Sequence, residues 1–255
     1  MSRQRQDRCL FNRIARRYAR KDVCPSSSLA RQAQLLSALK PLLDERPTLG
    51  TVVDIGCGVG APARYLQGCY EHYTGIDQSE QMIEAAALFN QDNGRAEFIA
   101  GNVKSRELPH GVADVILSIG ALHHMTELDD VLSSLTRLAK PRAFLIVVEP
   151  QDGNPLIQAA RCVRGLLDPG YSRQQVFFSE RELVELLAAG GITVLSVAFQ
   201  GFLTPPFAQV VIQPQIFSVP LSRFAVRADS WLDDRLPDFL KKLSFNVVII
   251  GRFEG

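Results

Sequence analysis

A strand that runs into a glycine-rich loop is the feature that most constrains the fold of this chain. The segment VVDIGCGVGAP (52–62) places three glycines at alternate positions directly after strand-forming residues, and Pro62 suits the first turn of a helix. Such a loop lets the backbone approach a ligand closely and points amide groups at it. The segment therefore predicts a cofactor site at the carboxyl end of a strand.

The rest of the chain alternates short apolar runs with helical stretches. We predict strands at 51–55, 72–77, 95–102, 112–120, 143–150, 192–200 and 245–253, and helices at 61–69, 79–90, 128–140 and 179–191. Ser79 is expected to cap one helix, Ser179 and Glu182 have capping-box spacing, and Pro141 is expected to stop the helix before it. Apolar strands separated by helices indicate a parallel sheet that is covered on both faces.

Composition narrows the class of protein. A chain of 255 residues with 46% hydrophobic content can bury an ordinary core, and a net charge of +1 gives no sign of a nucleic-acid or membrane-surface partner. The five cysteines are scattered, without a CxxC pair or metal-ligand spacing, as in a cytosolic protein with reduced thiols. The longest clean apolar run, Ala143 to Val148, is far short of the roughly 20 residues that span a bilayer. We expect a cytoplasmic protein without a metal, a transmembrane segment or a secretory signal.

The spacing of the glycine loop alone fits two classes of cofactor. Read from Gly56, the loop matches the dinucleotide pattern, with Ala61 as its last member and Asp77 about twenty residues further on. An NAD-dependent oxidoreductase is therefore an alternative. Asp54 lies two residues before the first glycine, where its charge would oppose a pyrophosphate and suit a cationic ligand. Gly60 has no role in the dinucleotide pattern, and both features favour a different cofactor.

Four segments resemble one known family. VVDIGCGVGAP (52–62) resembles motif I of the class I S-adenosylmethionine-dependent methyltransferases, and GIDQSEQMIEAA (75–86) resembles the segment that follows it. ILSIGALHHM (116–125) is similar to the segment after strand four in a small-molecule branch of this family, which includes the ubiquinone/menaquinone-biosynthesis and sterol methyltransferases. FNRIARRY (11–18) is similar to the arm that precedes the fold in the same branch. The resemblance implies an α/β fold, a doubly wound Rossmann-like sheet of seven mostly parallel strands with an antiparallel last strand.

The same resemblance implies a function. It implies methyl transfer from S-adenosyl-L-methionine to a small, partly hydrophobic acceptor, with no nucleic-acid substrate. A non-catalytic module that keeps the cofactor pocket is a further alternative. One departure from the family is visible, because the usual Pro-Gly-Gly before strand five is replaced by KPRAF (140–144).

The resemblance also assigns the cofactor site. Asp54 would hold the ammonium group of the cofactor, Asp77 would accept both ribose hydroxyls, and Tyr18 would close the pocket from the arm. Gln78 and Met82 would flank the adenine, and Asn102 would accept a hydrogen bond from its amino group. Ser118 and Gly120 would line the floor under the methionine part. The expected cofactor-binding residues are Tyr18, Asp54, Gly56, Cys57, Gly58, Asp77, Gln78, Met82, Asn102, Val103, Ser118 and Gly120.

His123 is the candidate catalytic residue. Histidine titrates near neutral pH and could take a proton from the acceptor. The alternative is that the histidines of GALHHM (120–125) shape the pocket wall, because methyl transfer from a sulfonium depends on in-line positioning and often needs no base.

The basic N-terminal run allows three interpretations. Phe11, Ile14 and Tyr18 share one helical face, which fits a lid helix, a transit peptide or a polybasic anchor. The match of these three residues to the family arm favours a lid, and we expect a helical arm over residues 1–48 ahead of the main domain, 49–255.

Residues 202–243 form the most individual part of the chain. They hold five prolines and the only tryptophan, Trp231. A cap over the acceptor, a homodimer surface and ordinary packing over the sheet edge are all compatible with this composition. An apolar cap would suit an acceptor with a hydrophobic portion.

Overall fold

The fold is an α/β sandwich in which seven strands form one sheet. The computed structural model describes residues 3–105, 108–152, 154, 157–158 and 176–254. The strands are β1 (Thr51–Ile55), β2 (His72–Asp77), β3 (Ala96–Ala100), β4 (Ala113–Ile119), β5 (Ala139–Pro150), β6 (Ile192–Gln200) and β7 (Asn246–Phe253). The helices are α1 (Arg3–Val23), α2 (Pro25–Glu45), α3 (Ala61–Tyr65), α4 (Glu80–Phe89), α5 (Leu128–Leu138), α6 (Glu180–Ala189), α7 (Pro205–Gln209), α8 (Gln215–Arg235) and α9 (Asp238–Lys241), and a short 3-10 turn spans Leu122–His124.

The strand order is β3-β2-β1-β4-β5-β7-β6. Strand β7 runs antiparallel to both of its neighbours, and the other pairs are parallel. This confirms the predicted seven-stranded sheet with an antiparallel last strand. The order reverses between β1 and β4, and the carboxyl ends of strands at such a reversal are where open α/β sheets bind ligands.

Apolar layers cover both faces of the sheet. The central strand β4 alternates its side chains between the two layers, so Ile116 packs on one side while Val115 and Leu117 pack on the other. The first layer includes Leu132, Leu135, Leu183 and Leu187 from α5 and α6, and the second includes Leu35, Leu39 and Leu42 from α2. Burial on both faces explains why β4 is apolar almost throughout.

The helix caps follow the sequence. The Ser79 side chain accepts a hydrogen bond from the Met82 amide, and Ser179 and Glu182 form a complete capping box. These predictions are confirmed.

The junction of α5 and β5 differs from the prediction. The helix ends at Leu138 and the strand begins at Ala139, so Pro141 lies inside the strand and does not stop the helix. Ala139 pairs with Ala113 of β4, and the register then shifts, which accommodates a residue without an N–H group. Arg142 has a φ of 63°, in the left-handed region that a glycine of the family pattern would favour.

Helix α3 ends at Tyr65, four residues before the predicted end, where the chain turns towards β2. Helix α8 packs on α2, where the Ser222 hydroxyl donates to the Ser26 carbonyl at 2.8 Å. Within the described residues, no helix combines the length and apolar character that a membrane crossing requires.

Candidate active site

The glycine loop leaves β1 in a conformation that requires glycine. Gly56, Gly58 and Gly60 have φ values of 67°, 54° and 68°. A Cβ on Gly56 would lie 2.6 Å from the Cβ of Ala121, and one on Gly60 would lie 2.5 Å from the Phe98 ring. Gly60, which has no role in the dinucleotide pattern, is therefore needed for the close packing of this loop against β3.

Asp77 connects the end of β2 to the glycine loop. One carboxylate oxygen accepts the Gly58 amide at 3.0 Å, and the other accepts the Ser79 amide at 2.8 Å. Burial raises the pKa of Asp77, and these two backbone hydrogen bonds lower it. Each oxygen retains a further lone pair that a ligand hydroxyl could use.

Asp54 lies at the end of β1 and is almost fully buried. Its carboxylate accepts a hydrogen bond from the Tyr73 hydroxyl. Burial raises the pKa of Asp54 to about 7, the Tyr73 hydrogen bond opposes this, and the charge of Asp77 adds to it. A buried carboxyl with a pKa near neutrality gains strongly from a cationic ligand, which restores its ionised form.

A cavity of about 1830 Å³ opens above these residues, along the carboxyl ends of the parallel strands. Pockets for one small molecule usually measure about 300–1,000 Å³, so this one has room for two. Eleven of the twelve predicted cofactor-binding residues line it: Tyr18, Asp54, Gly56, Cys57, Gly58, Asp77, Gln78, Met82, Asn102, Val103 and Gly120. Ser118 does not line it, because its side chain is fully buried in β4, whereas Gly120 borders the cavity.

Helix α1 forms one wall of the cavity. The Ser79 hydroxyl donates to Asn12 at 2.6 Å, and the Phe11 ring meets the His124 ring edge-on at 4.9 Å. Tyr18 stands beside the glycine loop, with a ring carbon 3.9 Å from the position of a Cβ on Gly58. The first helix thus contacts both the β2 end and the turn after β4.

His123 lines the cavity and is paired with a buried carboxylate. Its Nδ1 lies 2.5 Å from Glu149 Oε2, at the end of β5. The other oxygen of Glu149 accepts the amides of Ala121 and Leu122 at 2.9 and 2.7 Å. The Phe177 ring stacks on the imidazole at 5.6 Å. A carboxylate that accepts from Nδ1 fixes the ring and leaves Nε2 as the nitrogen able to take a proton.

Burial lowers the pKa of the neighbouring His124, although Asp7 of α1 opposes the shift. The Nδ1 of His124 lies 3.7 Å from Asp7 Oδ2. Among the residues that the structure describes, no three His, Cys, Asp or Glu side chains form a group suited to a metal.

Residues 202–243 contribute part of the cavity wall. Phe202 and Pro205 line the cavity, and so does Leu243 at the far end of the segment. The loop before α7 is held by Asp229, whose carboxylate accepts the amides of Phe202, Leu203 and Thr204 and the Thr204 hydroxyl. In contrast, Phe217 on α8 is 66% exposed and does not reach the cavity.

Sequence reasoning missed Glu149, Gln200 and Arg31. Glu149 and Gln200 end β5 and β6, so the strand-end argument used for Asp77 would have found both. Arg31 lies on α2, with Nε 2.8 Å from Asp22 and its guanidinium 5.5 Å from the centroid of the Tyr18 ring. Only the packing of α2 against α1 brings Arg31 to the cavity, and no local signal predicts it.

Residues 53–147 match the family described as a methyltransferase domain, which favours S-adenosylmethionine over a dinucleotide. Residues 53–147 therefore resemble a methyltransferase domain. The matched span runs from β1 into β5 and includes the glycine loop, Asp77 and His123. The oxidoreductase alternative receives no support from any comparison.

Named relatives and solved structures agree with the methyltransferase domain. A 2-methyl-6-phytyl-1,4-hydroquinone methyltransferase of Synechocystis sp. is 32% identical over 108 residues, which are 42% of this chain and 34% of that protein. A sterol 24-C-methyltransferase of Gibberella zeae is 28% identical over 148 residues, 54% of this chain and 38% of that protein. The chain spans about a third of the length of these curated relatives.

The fold of the methyltransferase domain also has a close structural counterpart. The magnesium protoporphyrin IX methyltransferase of Synechocystis, solved with bound S-adenosylhomocysteine, superposes with a TM-score of 0.65 over 99% of this chain and 100% of that chain. The two sequences are 16% identical, so this likeness concerns the fold alone.

Proposed function

We propose that this protein transfers a methyl group from S-adenosylmethionine to a small, partly hydrophobic molecule. The observation that carries the proposal is the junction of the glycine loop with Asp77. It lies where the strand order reverses, and it opens into a cavity large enough for two ligands.

The described residues suit the charges and donors of this cofactor. Asp54, with a pKa raised to about 7 by burial, would pair with the ammonium group. The guanidinium of Arg31, beside Tyr18, would pair with the carboxylate of the methionine part. Asp77 would accept the two ribose hydroxyls with the lone pairs left free by Gly58 and Ser79. When bound, S-adenosylmethionine supplies an electrophilic methyl group on a sulfonium.

The residues around β3 and α4 would hold the adenine. Met82 is almost fully buried and would cover one face of the ring, with Gln78 and Val103 beside it. The Asn102 side-chain oxygen accepts the Lys104 amide at 3.0 Å, and its second lone pair could accept the adenine amino group.

His123 would act as the base when the acceptor loses a proton. Glu149 holds Nδ1, which leaves Nε2 to accept that proton and stabilises the imidazolium that forms. If the acceptor needs no base, the same pair serves as a rigid wall that positions it.

The hydrophobic character of the acceptor rests on two observations. The cap contributes Phe202, Pro205 and Leu243 to the cavity wall. The matched relatives are named for phytylhydroquinone and sterol acceptors, which are largely apolar. An acceptor with an apolar body would remove these side chains from water on binding.

The experiment that tests the function is a comparison of cofactors followed by a transfer assay. S-adenosylhomocysteine is expected to raise the melting temperature in a concentration-dependent way, and NADH is expected to leave it unchanged. Incubation with isotopically labelled S-adenosylmethionine and a panel of hydroquinones and sterols should then move the labelled methyl group to one class of acceptor. Absence of S-adenosylhomocysteine binding would overturn the proposal.

A further inference from the structure

The residues that line the cavity fall into two sets that differ in charge. Its formally charged lining residues come from α1, α2, β1, β2 and the segment after β3: Arg20, Lys21, Asp22, Arg31, Asp54, Asp77 and Lys104. The described lining residues from position 148 onward are apolar or carry neutral amides. This second set, called here the neutral half, includes Pro150 at the end of β5 and Gln200 at the end of β6. A charged group placed in the second half would be desolvated without a charged partner from the described wall, which is unfavourable.

Gln200 brings an unpaired donor into the neutral half. It is the last residue of β6, pairs with Asn246 of β7, and is 5% exposed. Gln200 lines the cavity, and its buried Nε2 has no hydrogen-bond partner among the described residues. Buried amide donors are normally paired, because an unpaired one destabilises the folded protein. A donor that stays unpaired at a cavity wall therefore points to a ligand atom that accepts from it.

The surroundings of Gln200 define the rest of that ligand. Pro205 and Phe202 of the cap, and Phe245 just before β7, form apolar wall beside it. Phe245 is fixed near Gln200 because its amide donates to the Gly201 carbonyl at 2.8 Å. The loop that carries Phe202 is held by Asp229. A rigid apolar wall with one neutral donor suits an amphiphile with a single polar oxygen.

Building on the proposed function, we propose that Gln200 binds the methyl acceptor by donating a hydrogen bond from Nε2 to an uncharged oxygen. The acceptor class is an apolar molecule with an alcohol, phenol or ketone oxygen. Phosphorylated and carboxylated molecules are disfavoured, because the described residues of the neutral half offer their charge no counter-ion. Gln200 thus selects the acceptor, while Asp54 and Asp77 belong to the other half.

The test uses two probes that differ in charge and share an octyl tail. 4-Octylphenol and 4-octylbenzoate are titrated by calorimetry at pH 7.5, with and without saturating S-adenosylhomocysteine. Wild-type protein is expected to bind the phenol at least tenfold more tightly than the benzoate. Gln200→Leu keeps the volume and removes the donor, so it should weaken phenol binding about fivefold, as expected for one neutral hydrogen bond. Gln91→Leu, an exposed glutamine outside the cavity, is the control and should change nothing.

Stability gives a second readout. If Gln200 is kept for a ligand, Gln200→Leu removes an unpaired buried donor and should leave the melting temperature equal or higher. A fall of several degrees with unchanged phenol affinity would mean a structural role and would overturn the proposal. Tighter binding of the benzoate, or no binding of the phenol by wild-type protein, would also overturn it. Titration of S-adenosylhomocysteine alone tests the proposed function separately. The comparison of the phenol with the benzoate remains informative whether or not S-adenosylhomocysteine binds.

Discussion

Asp77 Oδ2 accepts the backbone amide of Gly58 at 3.0 Å, so the carboxylate at the end of β2 holds the glycine loop that leaves β1. The other oxygen accepts the Ser79 amide, at the start of α4. One side chain therefore fixes the relative positions of two segments that belong to different βα units. The same carboxylate has lone pairs left for a diol, and its structural and binding roles can be separated by experiment.

Asp77→Ala is expected to weaken S-adenosylmethionine binding at least tenfold, equivalent to about 1.4 kcal/mol. The variant loses two charge-assisted hydrogen bonds to the ribose and the anchor for Gly58. Calorimetric titration of the folded variant measures the effect.

Glu84→Ala is the matched control, because Glu84 is an exposed carboxylate on α4 and should leave the affinity unchanged. If Asp77 had only a structural role, Asp77→Ala would lower the stability of the protein and leave its affinity for S-adenosylmethionine unchanged. That result would contradict the assignment of Asp77 to the ribose.

Binding at Asp54 should release a proton. Because burial raises the pKa of Asp54 to about 7, the carboxyl is largely protonated at pH 6 in the free protein. An ammonium ligand requires the ionised form, so affinity for S-adenosylhomocysteine should fall by up to about tenfold per pH unit below pH 7. Calorimetry at pH 6 in buffers of different ionisation enthalpy measures the released proton. Asp54→Asn should abolish the release, and an unchanged release in that variant would assign it to another group.

The same shift affects the stability of the free protein. The pKa of Asp54 in the fold lies above its model-compound value of 3.8, so the folded state binds the proton more tightly than the unfolded chain. Its stabilising contribution is fully present below about pH 4 and is lost as the pH rises towards 7, at up to about 1.4 kcal/mol per unit. Urea unfolding of wild type and Asp54→Asn across this range should differ by that slope.

The buried pair of His123 and Glu149 should be essential for the turn after β4. Glu149→Gln removes the carboxylate that accepts from His123 and from two backbone amides, and it is expected to lower the free energy of unfolding by at least about 2 kcal/mol. Urea unfolding measures this loss. Glu185→Gln, an exposed site on α6, is the control and should cost little.

The tautomer of His123 provides a test of its role that needs no acceptor. Nitrogen NMR of the wild-type protein should find the neutral imidazole in the tautomer with its proton on Nδ1, because Glu149 accepts from that nitrogen. The opposite tautomer would leave no basic nitrogen for the acceptor and would reduce His123 to a wall residue.

The sheet is predictable from the sequence because β4 and residues 143–148 of β5 are nearly continuous apolar runs and because Ser79 and Ser179 cap the helices α4 and α6. Asp54 and Asp77 are predictable for a related reason, since polar residues at the ends of buried strands converge on one edge of a parallel sheet. The same rule applies to Glu149 and Gln200. Both residues are therefore predictable from the sequence.

Other features depend on contacts between distant segments. Asp229 holds the loop at 202–204 from a helix more than twenty residues away, and Arg31 reaches the cavity only because α2 packs beside α1. The start of β5 at Ala139 is set by pairing with β4, which overrides the helical pattern that continues to Lys140. Local periodicity contains no information about such pairings.

Arg142→Gly is expected to stabilise the protein. Arg142 is an exposed residue with a φ of 63°, a conformation that costs a non-glycine residue about 1–2 kcal/mol. Glycine removes that strain, at a smaller cost from the greater freedom of the unfolded chain. A net gain of about 0.5–1 kcal/mol should raise the melting temperature by a few degrees. Arg181→Gly, the same change inside α6, should instead destabilise, because glycine is a poor helix former. If both Arg142→Gly and Arg181→Gly were less stable than the wild type, the inference of backbone strain at Arg142 would be contradicted.

Phe202→Ala should alter the neutral half of the cavity without affecting the cofactor half. Phe202 lines the cavity and is fixed by Asp229, whereas Phe217 lies on the exposed side of α8 and does not line it. Removing the Phe202 ring takes apolar surface from the acceptor, so affinity for 4-octylphenol should fall by about tenfold or more, since burial of such a side chain contributes about 1.5–3 kcal/mol. Affinity for S-adenosylhomocysteine should stay within about twofold. Phe217→Ala is the matched control and should change neither affinity, because its ring is already in solvent. Equal losses of phenol and cofactor affinity in Phe202→Ala would mean that residues 202–243 support the whole cavity and do not form a cap for the acceptor.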